Sequence, residues 1–179
     1  MAWIRTYTGR NVYPLDAHED DIDIEDIAHA LSMQCRFGGH TREFYSVAQH
    51  CVLMCERELM YNSNEDAFAI LMHDAAEAYL TDLARPVKQL MPGYAEAEKV
   101  MMRVINIKYG IVIDDRKKAT INQMDNAILY DESRALFPQG NPFVDRVPNV
   151  ATFHIDPWPP DRAKRAFLYF FNTLNQGVF

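Results

Sequence analysis

Apolar residues recur at helical spacing along most of the chain. Ile24, Ile27, Ala28 and Leu31 fall three and four apart, which predicts a short amphipathic helix. The acidic run Glu19 to Glu25 precedes it, where the positive end of the helix dipole favours negative charge, so these acids read as solvated caps. From Tyr45 to Met60, Val47, Ala48, Cys51, Val52, Met54, Cys55 and Leu59 form one apolar face with His50 beside it. Asp66 to Met72 is apolar and helix-favouring apart from Asp66 itself, and Ser63 supplies an N-cap signature just before it. Tyr94 to Lys108 predicts a further helix ending before Gly110. Asp115 to Phe137 predicts a long one, closed by Pro138, with Ile121, Met124, Ile128, Leu129 and Leu136 on its buried side.

The last helix runs from Asp161 to Leu174 with Pro160 near its first turn, and its Phe167, Leu168, Phe170 and Phe171 suit a core or a subunit contact. Outside the helices, Trp3 to Pro14 alternates large and polar residues around Thr8-Gly-Arg-Asn11, the pattern of a two-stranded flap that must pack on the body to be stable. Leu83 to Lys88 and Met91 to Gly93 read as an irregular connector, and a Pro- and Asn-rich loop is expected from Pro138 to Pro148. The fold class expected is all-α with a small N-terminal β-hairpin.

At 179 residues and 49% hydrophobic, the chain suits one domain over residues 1–179, long enough to bury a core without disulfides. A net charge of −7 speaks against a broad nucleic-acid or anionic-membrane footprint, yet leaves room for a local basic pocket that takes one phosphorylated molecule. Cys35, Cys51 and Cys55 are odd in number, lack CxxC spacing and follow no signal-like start, which points to a reducing, cytoplasmic setting. Cys51 and Cys55 share a helical face and could ligate zinc; with no second Cys/His pair at zinc-finger spacing, buried thiols are the simpler reading. No apolar run is long enough to span a membrane.

The stretch Leu71 to Asp82 gathers His73, Asp74, Glu77 and Asp82 in an otherwise apolar segment. His73 and Asp74 sit late in the helix expected from Asp66, so Glu77 lies over both of them on one face, and a divalent cation would offset the cost of burying the carboxylates. A satisfied surface pair at a helix end accounts for the same residues. Asp125 falls between Ile121 and Leu129 in an apolar stripe, where a carboxylate needs a partner that a metal would supply. His50, taken alone, reads as a core histidine bonded to backbone. In Cys35-Arg-Phe-Gly-Gly-His-Thr-Arg42, two glycines among two arginines and a histidine suit a phosphate-gripping loop, although Gly-Gly is usually just a turn.

Taken together, His50, His73-Asp74 and Asp125 resemble the H…HD…D signature of the HD-domain metal-dependent phosphohydrolases, over roughly Ile27 to Phe137. The resemblance implies an HD-domain helical bundle in which these four residues ligate one divalent metal, whether Co, Mn, Zn, Mg, Ni or Fe. His73-Asp-Ala-Ala-Glu77…Asp82 followed by Pro86-Val-Lys88 is similar to the small deoxynucleotide phosphohydrolases, which implies catalytic roles for Glu77 and Asp82. Ile27-Ala-His-Ala-Leu31, Arg36-Phe-Gly-Gly-His40 and Tyr45-Ser-Val-Ala-Gln-His50 further resemble phage-borne members, among them the DatZ-type dATP triphosphohydrolases. No Gly-Tyr-Pro follows the HD pair, unlike in the cyclic-dinucleotide phosphodiesterase branch.

The activity so implied is cleavage of dATP to deoxyadenosine and triphosphate by metal-activated water attack at the α-phosphorus. Glu77 would position the water and shuttle its proton, and Asp82 would orient the nucleophile or hold a further metal. Arg36, Lys88 and His40 would neutralise the phosphate tail, with Phe37 stacking on sugar or base; surface salt-bridging is the plain alternative for Arg36 and Lys88. A 5′-nucleotidase acting on deoxynucleoside monophosphates, or a non-catalytic metal-braced helical binding module, would use the same ligands. The resemblance also implies a homo-oligomer, with a hexamer as the form to look for, working in the host cytoplasm if phage-encoded.

Overall fold

The computed structural model describes residues 3–61, 63–138 and 153–175. Strands β1 (Ile4–Arg5) and β2 (Asn11–Val12) pair antiparallel, with Ile4 opposite Val12 and Arg5 opposite Asn11. Gly9 turns the chain at φ +89°, a conformation in which a Cβ is disfavoured. The hairpin is tied down rather than free. Val12 is fully buried, and the Asp26 carboxylate accepts from the Thr8 N–H at 2.6 Å and the Thr8 hydroxyl at 2.8 Å.

Eight helices follow among the described residues: α1 (Ile24–Met33), α2 (Val47–Leu59), α3 (Asn64–Leu71), α4 (Glu77–Leu80), α5 (Arg85–Lys88), α6 (Pro92–Lys108), α7 (Asp115–Leu136) and α8 (Pro160–Asn175). Their starts are set locally. Asp23, Ser46, Ser63 and Asp114 each accept a hydrogen bond from a first-turn N–H that has no partner inside its own helix. Past the end of α6, Gly110 sits at φ +64°, as its place after the helix requires. The expected irregular connector is partly ordered: Arg85–Lys88 makes a helical turn that accommodates Pro86 because first-turn N–H groups need no intrahelical acceptor. The acids before α1 also divide. Asp23 caps the helix, whereas Asp26, just inside it, is buried beneath the hairpin.

Helix α2 packs against α1, α3, α7 and α8. One apolar core runs from Val12 through Ile27, Val52, Leu71 and Met101 to Phe167 and Leu174, so the hairpin and the last helix share it. A fully buried side chain of this kind contributes about 1.5–3 kcal/mol. A smaller cluster of Met54, Ile70, Ala127, Ile128 and Phe153 ties α7 to α2 and α3. Of the apolar residues expected to pack on the last helix, Phe167 and Phe171 are buried, and Leu168 and Phe170 are partly buried against the main core. The stretch between Pro138 and Phe153, where a Pro- and Asn-rich loop is expected, lies outside the described residues. Among the described residues, no helix is long and apolar enough to cross a membrane.

Candidate metal centre

The fold brings three of the four expected ligands, His50, His73 and Asp74, into one group, and sets Asp125 on α7 beside His50 but outside that group. His50 projects from α2 into the interior and is fully buried, with Nδ1 2.7 Å from Oε1 of Glu132 on α7. Burial would raise the Glu132 carboxyl, but Arg36 and His50 outweigh it and keep the group below the ordinary carboxylate range. An ionised carboxylate only accepts, so Nδ1 donates and the lone pair of a neutral imidazole is left on Nε2. His73 is fixed the same way, its Nδ1 lying 2.7 Å from the Ile70 carbonyl oxygen. Both Nε2 atoms are buried and make no hydrogen bond.

The donor atoms of His50, His73 and Asp74 lie within 4.8 Å of one another. Oδ2 of Asp74 is 3.2 Å from His73 Nε2 and 3.8 Å from His50 Nε2, and Oδ1 of Asp125 is 3.4 Å from His50 Nε2. Burial works against charge on both imidazoles, yet Glu132 and Asp125 raise His50, and Asp74 raises His73 well above its usual range. Conversely, Asp74 and Asp125 are held well below the carboxylate range: burial opposes this, and His73 beside the first and His50 beside the second outweigh it. The point where the two Nε2 atoms face the two carboxylates therefore favours positive charge. Two imidazole nitrogens and two carboxylate oxygens are a donor set that fits a divalent transition metal.

The local backbone differs from the continuous helix expected through Glu77. Helix α3 stops at Leu71, and the chain proceeds by three-residue turns, with His73 N–H donating to Ile70 O at 3.3 Å, Ala75 N–H to Met72 O at 3.0 Å and Glu77 N–H to Asp74 O at 3.0 Å. A continuing α-helix would offer the Ile70 carbonyl to residue 74; here the main chain and ring of His73 take it. Glu77 thus does not stack over His73 on one helical face. It begins the separate turn α4, buried, with Oε2 lacking a hydrogen bond. Burial, then the charges of Asp74 and Asp82, push its carboxyl up to about 10. Asp82 is raised too, by burial first and also by Asp74. The Gln34 amide clamps this segment, Nε2 donating to Glu77 O at 3.0 Å and Oε1 accepting from Asp82 N–H at 2.8 Å.

Arg36 and Lys88, expected to grip phosphate, have acidic partners. Arg36 is drawn inward, with Nη2 3.2 Å from Glu132 Oε2, and Asp74 and Asp125 at 3.8 and 4.0 Å. Burial opposes its charge, but Glu132, Asp125 and Asp74 hold the guanidinium above its ordinary range. Lys88 pairs with Glu98 and lies over the Tyr94 ring. Phe37, at φ +58°, meets Phe137 edge-on at 5.2 Å, and His40 is exposed at the end of the Arg36–Gly39 turn. Asp125 has a partner that sequence reasoning did not single out: Arg85 donates to its Oδ2 at 2.8 Å.

Glu132 and Gln34 were likewise missed. Glu132 stands seven residues after Asp125, two helical turns along the same face, which is a usable signal. Gln34 and Arg85 carry no such pattern. A cleft of about 950 Å³ between α6 and α7 has His73, Asp74 and Asp125 on its wall, together with Met102, Asn106 and Ile121.

The chain is similar to YfdR, an uncharacterized protein of Escherichia coli strain K12, at 38% identity over 179 residues covering 98% of this chain and 97% of YfdR. The chain belongs to the YfdR family. An uncharacterized protein of Rhodobacter capsulatus is 36% identical over 118 residues, 62% of this chain and 59% of that relative. No family model matches the chain. The names of YfdR and of the Rhodobacter relative state no activity.

Proposed function

We propose that this YfdR-family protein is a metal-dependent phosphohydrolase of deoxynucleotides, with cleavage of dATP to deoxyadenosine and triphosphate as the finer form of that reading. The observation that carries it is the pair of buried Nε2 atoms, each on an imidazole tied back through Nδ1, facing two ionised carboxylates. His50, His73 and Asp74 would hold the ion, with Asp125 as fourth ligand. A first-row divalent ion such as Mn²⁺, Co²⁺, Ni²⁺, Fe²⁺ or Zn²⁺ suits this mixed set better than Mg²⁺, which prefers oxygen donors alone. When bound, the ion supplies positive charge to phosphoryl oxygens and acidifies water.

The chain's own residues do the rest. Glu77, buried with one carboxylate oxygen unpartnered beside the ligands, is the group to position a water and shuttle its proton to the leaving 5′ oxygen. Asp82, kept beside it by Gln34, would orient the nucleophile. The deoxynucleotide class rests on the resemblance to HD-domain phosphohydrolases.

A second reading draws on a specific observation. Arg36 and Lys88 are already paired, with Glu132 and Glu98, so engaging a triphosphate would mean breaking ion pairs. A 5′-nucleotidase, which needs fewer cations, avoids that cost. The unpartnered Glu77 oxygen weighs against a metal that only braces the fold, because bracing calls for no buried acid beside the ligands.

A panel of dNTPs and dNMPs with Mn²⁺ or Co²⁺ tests these readings together. Triphosphate released from dATP supports the first, inorganic phosphate from monophosphates selects the second, and metal uptake without turnover leaves bracing. The same reading carries a homo-oligomer, and light scattering that finds only monomer removes that part.

A further inference from the structure

Each of three expected ligands offers one atom to the centre while its other polar atom is held from outside. For His50 the holder is the Glu132 carboxylate, and for His73 the Ile70 carbonyl, both at 2.7 Å. For Asp125 the holder is Arg85, whose Nη2 donates to Oδ2 at 2.8 Å while Oδ1 faces His50 Nε2 at 3.4 Å. Nη1 of Arg85 is anchored in turn on Asn126 Oδ1 at 2.9 Å, so the planar guanidinium grips two adjacent α7 side chains at once. Glu132 is fully buried, but the Arg85 side chain is 54% exposed and sits on α5, just beyond the segment that carries Glu77 and Asp82.

We propose that Arg85 is a positioning residue for the metal centre: it fixes Asp125 so that one carboxylate oxygen, Oδ1, is presented to the ion. This rests on the metal reading above. A guanidinium near a cation also has an opposing effect, since its charge alone repels the ion. The two effects differ in sign. Removing a mere surface counter-charge would tighten metal binding, whereas removing an orienting partner weakens it, typically by about 10–100-fold.

Titration of the full chain with Co²⁺, followed by calorimetry and by visible absorption, separates them. The expected result is binding about 10–100-fold weaker in Arg85→Ala than in wild type. The cobalt bands should also change, because the released carboxylate can turn and offer both oxygens. Arg85→Lys, which keeps a charged donor to Oδ2 but loses the grip on Asn126, should recover part of the affinity. Arg85→Ala binding Co²⁺ as tightly as wild type, or more tightly, with unchanged bands overturns the proposal and leaves the metal reading standing. A wild-type chain that takes up no Co²⁺ overturns both.

Discussion

Replacing Glu132 by Gln tests the electrostatic account of the site most directly. The carboxylate has no exposed surface and lies between His50 Nδ1 at 2.7 Å and Arg36 Nη2 at 3.2 Å. Gln keeps the volume, so no cavity opens. Its oxygen can still accept from His50, but the remaining amide group is then a donor facing the donors of Arg36. Relief from burying an anion favours the variant; a buried guanidinium robbed of its nearest counter-charge opposes it. Removing one partner of a buried pair costs about 3–5 kcal/mol. Because Asp74 and Asp125 remain at 3.8 and 4.0 Å from Arg36, the lower end applies, about 3 kcal/mol. For a domain of this size that lowers the melting temperature by about 6–12 °C.

Urea titration with an unchanged m-value reads the loss, and the double variant Glu132→Gln/Arg36→Met shows its origin, since removing both charges should restore most of the stability. A single variant within about 0.5 kcal/mol of wild type, or a double variant no better than the single, would show that Glu132 is not the counter-charge on which buried Arg36 depends.

Glu77→Gln should retain ion uptake and lose turnover by at least about 100-fold in a product-release assay, and full turnover would remove Glu77 from the chemistry. Thr81 is exposed and lies at φ 70°, ψ 151°, a region of backbone space essentially reserved for glycine, so Thr81→Gly should stabilise the chain by about 1 kcal/mol in a chemical melt. A less stable variant would show that no strain is held there. Asp66 accepts from Arg116 at 2.8 and 2.9 Å, and that bond keeps its carboxyl below the ordinary value of 3.8. A depressed folded-state value means that the stabilisation is complete above the unfolded value and is lost as pH falls through the folded one. The stability gap between wild type and Asp66→Asn should therefore stay level from neutral pH down to about 5 and close in more acid solution, and an unchanged gap there would contradict the pairing.

Features that depend on neighbours a few residues away were legible in the amino-acid order. Apolar spacing marked the faces of α1 and α2 but only part of that of α7, where Ile128 and Leu136 are buried beside Asp131, Glu132 and Ser133 while Leu129 is not; Ser63 marked the start of α3, Gly110 the end of α6, and Thr8-Gly-Arg-Asn11 the hairpin. These are local because a helix turn and a cap involve residues within four positions of each other. The inward position of His50 on α2 belongs to the same class of information.

The partners of the charges do not. Glu132 reaches His50 across 82 residues and Arg85 reaches Asp125 across 40, and the buried Asp26 carboxylate meets Thr8 of the hairpin across 18. Local pattern likewise continued α3 through His73, where the tertiary fold turned that ring onto the Ile70 carbonyl and stopped the helix. A desolvated charge is stable only beside a specific opposite charge or donor, and which group arrives there is decided when distant segments pack.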